Sequence, residues 1–231
     1  TTWGRQLRAS GVNMDLAPVL DTVPSPAAAS HNPPIGAFRR EFGYTTARVG
    51  RHGTAFARGM AAARVLVSIK HFPGLGRVRG NTDTSSGVTD TVTRRGDAYL
   101  RPFQKAIGSG AVPFVMMSTA YYSHLDKGHP AAFSRFIIGT VLRGDLGFKG
   151  AVISDDLANA RQVSRWSYGG RAVRFVRAGG DVVLTVNPAA LPAMYDAVLA
   201  RARANAGFRA KVDRAALRVL RTKEAHHLLG H

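Results

Sequence analysis

The chain has 231 residues, 45% of them apolar and 20% charged, proportions of a globular protein with length enough for one large core. It has no cysteine, which excludes disulfides, thiolate nucleophiles and cysteine-based zinc sites, and no apolar run long enough to predict a membrane span. With 32 basic against 14 acidic residues the formal charge is +18, a field that favours anionic partners.

Nucleic acid is the first such partner to weigh. The arginines are scattered, as at Arg5, Arg39, Arg58, Arg94, Arg143, Arg174, Arg201 and Arg218, with no basic tract, aromatic-interleaved RNA signature or zinc-finger spacing. No nucleic-acid partner is therefore expected, and the basic residues read as a solvated surface. No basic stretch leading into an apolar one opens at Thr1, so no export signal is read within these residues.

In chain order, Trp3 to Ala9 reads as the end of a helix running into a strand, Val12 to Val19. Val49, Phe56 and Met60 share one helical stripe ahead of a second strand, Val65 to His71. Leu100, Phe103 and Ile107 mark the next helix, before a strand from Val112 to Ser118. Ser134 stands where it can cap a helix carrying Phe136, Ile137, Val141 and Leu142, which precedes the strand Ala151 to Asp155. A fifth strand, Asp181 to Val186, is followed by a helix bearing Leu191, Tyr195, Val198 and Ala202, then by a last helix capped by Asp213 and carrying Leu217 and Leu220. The strands are apolar without strict alternation, as in a parallel sheet covered on both faces. The expected class is α/β, a single domain over residues 1–231.

Two long polar segments, Thr22 to Gly43 and Phe72 to Asp97, follow the first two strands. Long loops in a compact domain are usually functional, and in βα barrels the loops after the strands carry the chemistry. Two motifs lie at such ends. In Lys70-His71-Phe72-Pro73-Gly74-Leu75-Gly76 the glycines permit close backbone approach, and Lys70 and His71 offer donors suited to sugar hydroxyls, although a glycine turn alone is commonly structural. In Ile153-Ser154-Asp155-Asp156-Leu157 an apolar strand ends in two carboxylates. That placement suits a nucleophile or general base at Asp155, a metal site made by both, or a helix cap at Asp156.

These two motifs, with Gly11-Val12-Asn13-Met14-Asp15-Leu16-Ala17-Pro18-Val19-Leu20-Asp21 before them and Leu142-Arg143-Gly144-Asp145-Leu146-Gly147-Phe148-Lys149-Gly150 leading into the second, resemble consecutive landmarks of glycoside hydrolase family 3. The similarity runs from about Gly11 through the final helix and is strongest to the single-domain β-N-acetylhexosaminidases that trim bacterial cell-wall sugars. The resemblance implies a TIM-type (β/α)8 barrel and a retaining hydrolase. It implies Asp155 as nucleophile, and Lys70, His71, Asp21, Thr119 and Arg40 as sugar-binding residues, with Arg39 the fallback for Arg40. No cofactor or metal is implied, and the partner is a carbohydrate. The relatives' cell-wall association, with the positive charge, favours export over a cytoplasmic location.

The departures from the family pattern matter as much. Its hexosaminidases carry Asp-Ser-His or Asp-Thr-His in the loop after the glycine turn, the histidine acting as acid/base. Here the loop reads Gly80-Asn81-Thr82-Asp83-Thr84-Ser85-Ser86, with Ser85 where the histidine should stand. A serine hydroxyl does not titrate near neutrality and cannot replace it. Asp83 becomes the leading acid, with His124, Asp90 and Glu41 behind it. Leu75 and Thr119, or Ser118, stand where two further family histidines belong, which points to a changed substrate or to lost catalysis. Only five of eight barrel strands can be read, starting from one resembling the family's third. An absent N-terminal segment or another chain is expected to supply the rest. The alternatives to a hydrolase of N-acetylhexosamine-containing cell-wall glycans are a catalytically impaired carbohydrate-binding barrel and a family 3 glycosidase of altered sugar specificity.

Overall fold

The computed structural model describes residues 1–229. Its centre is a curled, five-stranded, wholly parallel sheet in the order β1-β2-β4-β6-β7. The strands are β1 (Met14–Asp15), β2 (Leu66–Phe72), β4 (Phe114–Met117), β6 (Ala151–Asp156) and β7 (Val182–Leu184). These are the five strands read from the sequence. The first is shorter than expected: two residues pair with β2, and the chain rejoins it only at the Val19–Lys70 bridge.

The alternation hidden in these apolar runs sorts side chains between two layers. Val67, Ile69, Val115, Met117 and Val152 enter the large core beneath the outer helices. Leu66, Phe114, Met116, Ala151 and Ile153 face the other way, into a smaller cluster joined by Met14, Leu16, Val182 and Leu184. Burying each such side chain is worth about 1.5–3 kcal/mol, so a one-residue slip along any strand would exchange both layers at once.

The helices α1 (Thr2–Ala9), α2 (Pro26–Ala29), α3 (Thr46–Ala61), α4 (Arg101–Ile107), α5 (Tyr168–Ala178), α6 (Leu191–Ala204) and α7 (Ala206–Ala225) supply the remaining layers. α3 packs on α4, and α5 on α6. The segment Phe136–Asp145 winds as a π-helix, and Ser134 caps it as the sequence predicts, its Oγ accepting from the Ile137 amide at 3.1 Å. The last helix departs from the sequence reading. It begins at Ala206, where Asn205 accepts from the Phe208 amide at 2.8 Å. Asp213 therefore lies in the helix interior, and Leu217 and Leu220 are exposed. Leu191 and Tyr195 of α6 are exposed as well, Met194 and Ala202 being the buried residues.

The Phe72–Asp97 segment is not a plain loop. It contains β3 (Thr89–Arg94), which pairs in parallel with β5 (Tyr121–His124) to form a second, two-stranded sheet. At the amino ends of the main strands, the buried Asp181 carboxylate joins Arg143 (2.7 Å) and Arg218 (2.8 Å) and accepts from the Val152 amide (2.8 Å). That network is structural and lies at the end of the sheet opposite the two motifs.

Candidate active site

The carboxyl ends of β1, β2 and β6 bring the two motifs together. Asp21 follows β1 and is fully buried, yet its carboxylate is well satisfied. Oδ1 accepts from the backbone amides of His71 (3.2 Å) and Leu75 (2.6 Å), and Oδ2 takes the Nδ1–H of His71 at 2.7 Å. A carboxylate only accepts, which fixes the imidazole tautomer and leaves Nε2 facing Asp155 Oδ2, 4.0 Å away. The glycine turn is built around this node. A methyl on Gly76 would strike the Thr22 carbonyl, so that position must lack a side chain.

Asp155 is half-buried at the end of β6, where its Oδ1 accepts from the Asp156 amide at 2.9 Å. Asp156 is committed locally: it accepts from the amides of Ala158, Asn159 and Val186. These bonds close a turn and not a helix, since no helix starts at Asp156, and among the described residues no group of three or more His, Asp or Glu gathers as a metal site. Lys70, one residue before His71, is half-buried. Desolvation and the Arg40 guanidinium push its ammonium below the usual range, against an upward pull from Asp155, Asp15 and Asp21.

Asp83 is exposed on the loop that follows the glycine turn, and its carboxyl still feels the charges of this site. Desolvation first, and then the Asp155 charge, push its carboxyl above the ordinary range; Asp156 acts in the same direction, and His71 and Arg40 oppose it. Its backbone is anchored to the loop that follows Asp155, the Arg161 amide donating to the Asp83 carbonyl (3.1 Å) and the Gln162 amide to the Thr82 carbonyl (3.0 Å). Arg40 is exposed, held by a bond to the Pro34 carbonyl (2.8 Å), and its charge is felt at both Lys70 and Asp83. The fallback, Arg39, sits in a left-handed turn (φ 53°), and its charge acts on Tyr44.

The other acid candidates lie elsewhere or are occupied. Asp90 is buried and spends its carboxylate on the amides of Val92 and Thr93 and on the Thr93 hydroxyl, each at 2.7 Å. His124 is exposed at the end of β5. Glu41 keeps one buried carboxylate oxygen without a partner and couples to Tyr44. Thr119, just past β4, is buried with an unpartnered hydroxyl, as is Thr22 past β1. Ser118 uses its hydroxyl to accept from the Ala120 amide at 3.0 Å. Leu75 is turned into the core while its amide serves Asp21.

Several supports were not legible as site residues. Asn32 donates to the carbonyls of Leu75 and Val78, both at 2.8 Å, tying the first long segment to the glycine turn. Tyr122 donates to the Gly74 carbonyl at 2.8 Å, and burial pushes its phenol well above its usual range, so it remains a donor. Gln162 grips both the amide (3.0 Å) and the carbonyl (2.9 Å) of Val88. Arg171 donates to the carbonyls of Leu157, Ala158, Trp166 and Ser164 and so holds the loop that follows Asp155.

Residues 1–222 match the description "Glycosyl hydrolase family 3 N terminal domain". The chain is 33% identical over 213 residues to a beta-hexosaminidase of Stenotrophomonas maltophilia, covering 92% of this chain and 61% of that protein. It is 31% identical over 226 residues to beta-hexosaminidase LpqI of Mycobacterium bovis, covering 95% and 56%. A crystal structure of a beta-N-acetylhexosaminidase from Beutenbergia cavernae superposes with a TM-score of 0.95 at 52% identity, over 96% of this chain and 66% of that one. The chain thus spans about three-fifths of the relatives' length, and it belongs to glycosyl hydrolase family 3.

Proposed function

We propose that this chain carries the catalytic face of a retaining glycoside hydrolase acting on β-linked N-acetylhexosamine, in glycans of the bacterial cell-wall type. The observation that carries the reading is the Asp21–His71–Asp155 row at the strand ends, with Asp83 on the neighbouring loop, electrostatically coupled to Asp155 and shifted above the usual carboxylate range. Asp155 attacks the anomeric carbon while Asp83 gives its proton to the departing oxygen. The glycosyl ester is then hydrolysed by water, whose proton returns to Asp83. Lys70, His71 and Arg40 supply donors for the sugar hydroxyls, and Thr119 adds a buried hydroxyl free to bond.

The curled sheet has open edges at β1 and β7, and closure of the full eight-stranded barrel by further strands, from a longer polypeptide or another chain, is part of this proposal. Residues 1–231 act as one domain within it. One feature of the sequence favours a second reading, a sugar-binding barrel without turnover: by the family resemblance, Ser85 stands where a histidine is expected. Release of 4-methylumbelliferone from its N-acetyl-β-glucosaminide, lost in Asp155→Ala, is the result that supports hydrolysis. Binding of the glycoside without release supports the second reading and overturns the first.

A further inference from the structure

The end of the sheet away from Asp155 carries a hollow of about 240 Å³, set between the Phe136–Asp145 segment, the carboxyl end of α5 and α7. Five cations line it, Arg135, Arg143, Lys211, Arg214 and Arg218, against one carboxylate, Asp181. Arg143 and Arg218 already share that carboxylate and fix the floor. Arg135, Lys211 and Arg214 have no ion-pair partner among the described residues. The end of α5 offers them little, because the Gly179 and Gly180 amides occupy the Val176 and Phe175 carbonyls (3.1 and 3.0 Å). Lys211 is half-buried, and desolvation, then the charges of Arg135 and Arg214, push its ammonium below the usual range. Three like charges are thus crowded into one partly dehydrated place, and a bound anion relieves them.

Lys211, Arg214, Arg218 and Arg221, spaced by three and four residues, form one stripe of α7. The stripe carries the positive face into an adjoining hollow of about 390 Å³, which shares Arg218 and is lined also by Arg221 and Lys149. No Phe, Tyr or Trp lines either hollow, so neither offers a nucleobase a ring to stack on. The volume of the first lies below the ~300–1,000 Å³ usual for whole ligands and suits a compact anionic group. Guanidinium forks beside an ammonium match the several oxygens of a tetrahedral phosphate.

We propose that this hollow binds the phosphate group of a phosphate ester, held by Arg135, Lys211 and Arg214 over the Arg143–Asp181–Arg218 floor, with the rest of the molecule outside it. A site at the amino end of β7 tethers the domain to a phosphate-bearing molecule and leaves the strand ends around Asp155 free. It stands apart from the catalytic reading, and its test needs no turnover.

Calorimetric titration of the chain with inorganic phosphate, glycerol 1-phosphate and poly(glycerol phosphate), in a constant background of sodium chloride, tests it. All three are expected to bind, and the double variant Arg135→Ala, Arg214→Ala, both exposed positions, to weaken each by about tenfold or more. Arg174→Ala, Arg177→Ala removes as much charge from exposed positions outside the hollow and should change affinity less than about twofold. Equal affinity per phosphate for glycerol 1-phosphate and the polymer supports the site with a small ester as its ligand. Polymer binding tighter by about tenfold supports it with an extended polyester that follows Arg221 and Lys149 into the adjoining hollow. No binding of any of the three, affinity unchanged by Arg135→Ala, Arg214→Ala, or equal weakening by the two double variants overturns the proposal.

Discussion

Asp21 and His71 share a 2.7 Å bond between Oδ2 and Nδ1, and through it a fully buried carboxylate aims an imidazole at Asp155. The same carboxylate anchors the glycine turn by two amides, so orientation and backbone shape depend on one side chain. In Asp21→Ala three donors lose their acceptor. The expected cost is about 2–4 kcal/mol, read as a melting-point drop of roughly 5–15 °C, and kcat/KM falls about 100-fold through misplacement of His71. Calorimetry and aryl-glycoside kinetics check both. A variant with unchanged stability and rate would remove Asp21 from the account.

If Asp83 is the acid, its raised carboxyl is expected to set the pH profile. An acid catalyst works only while protonated, and desolvation with the Asp155 charge raises its pKa, so the acid form persists to higher pH than for an ordinary carboxyl. kcat/KM is therefore expected to fall on the alkaline side, as Asp83 loses its proton. In Asp83→Asn that limb should flatten, and substrates with poor leaving groups should lose far more rate than a dinitrophenyl glycoside. An unchanged alkaline limb in the variant would exclude Asp83 as the acid.

Gln162 is expected to act through Asp83 rather than on the sugar. It is buried and clamps Val88 by two bonds, while its backbone amide and that of Arg161 hold Thr82 and Asp83 to the loop that follows Asp155. Gln162→Leu should lower kcat for poor leaving groups about tenfold more than for activated ones, with KM changed little. Equal losses on both classes of substrate would mark Gln162 as a stability residue only.

How much of this could be read from the sequence depended on range. The five main strands are largely apolar runs between turn residues, and the two motifs stand at their ends, so the strand positions and the place of Asp155 at a strand end were legible. β3 was not, because Thr89 to Arg94 is polar and only Asp90 and Thr93 of its residues are buried, leaving no apolar alternation to detect. The last helix was misplaced because Asp213 resembles a cap, while the working cap, Asn205, lies in an Ala-Asn-Ala stretch with no periodic break. Asp90 was weighed as an acid on charge alone; its three local bonds are visible only in the fold. Gln162 and Asn32 act on backbone groups 43 to 74 residues away, contacts that local pattern cannot contain.

Arg171 gives a fourth expectation. Its guanidinium is buried with four backbone carbonyls as its hydrogen-bond partners, and burial pushes it below its usual range. Arg171→Met leaves buried carbonyls of the loop after Asp155 without donors and should destabilise by about 2–4 kcal/mol. Denaturant unfolding measures this; a change below about 0.5 kcal/mol would show that the loop holds itself.

The central claim is that Asp155 forms a covalent bond to the sugar. Incubation of the protein with an activated 2-fluoro glycoside, which slows release of the glycosyl ester, followed by proteolysis and mass spectrometry, tests it most directly. The account predicts one added glycosyl mass on the peptide containing Ile153-Ser154-Asp155-Asp156-Leu157, fragmenting to Asp155 and absent in Asp155→Ala. No label under conditions that trap a family relative, or a label on another carboxylate, would contradict it.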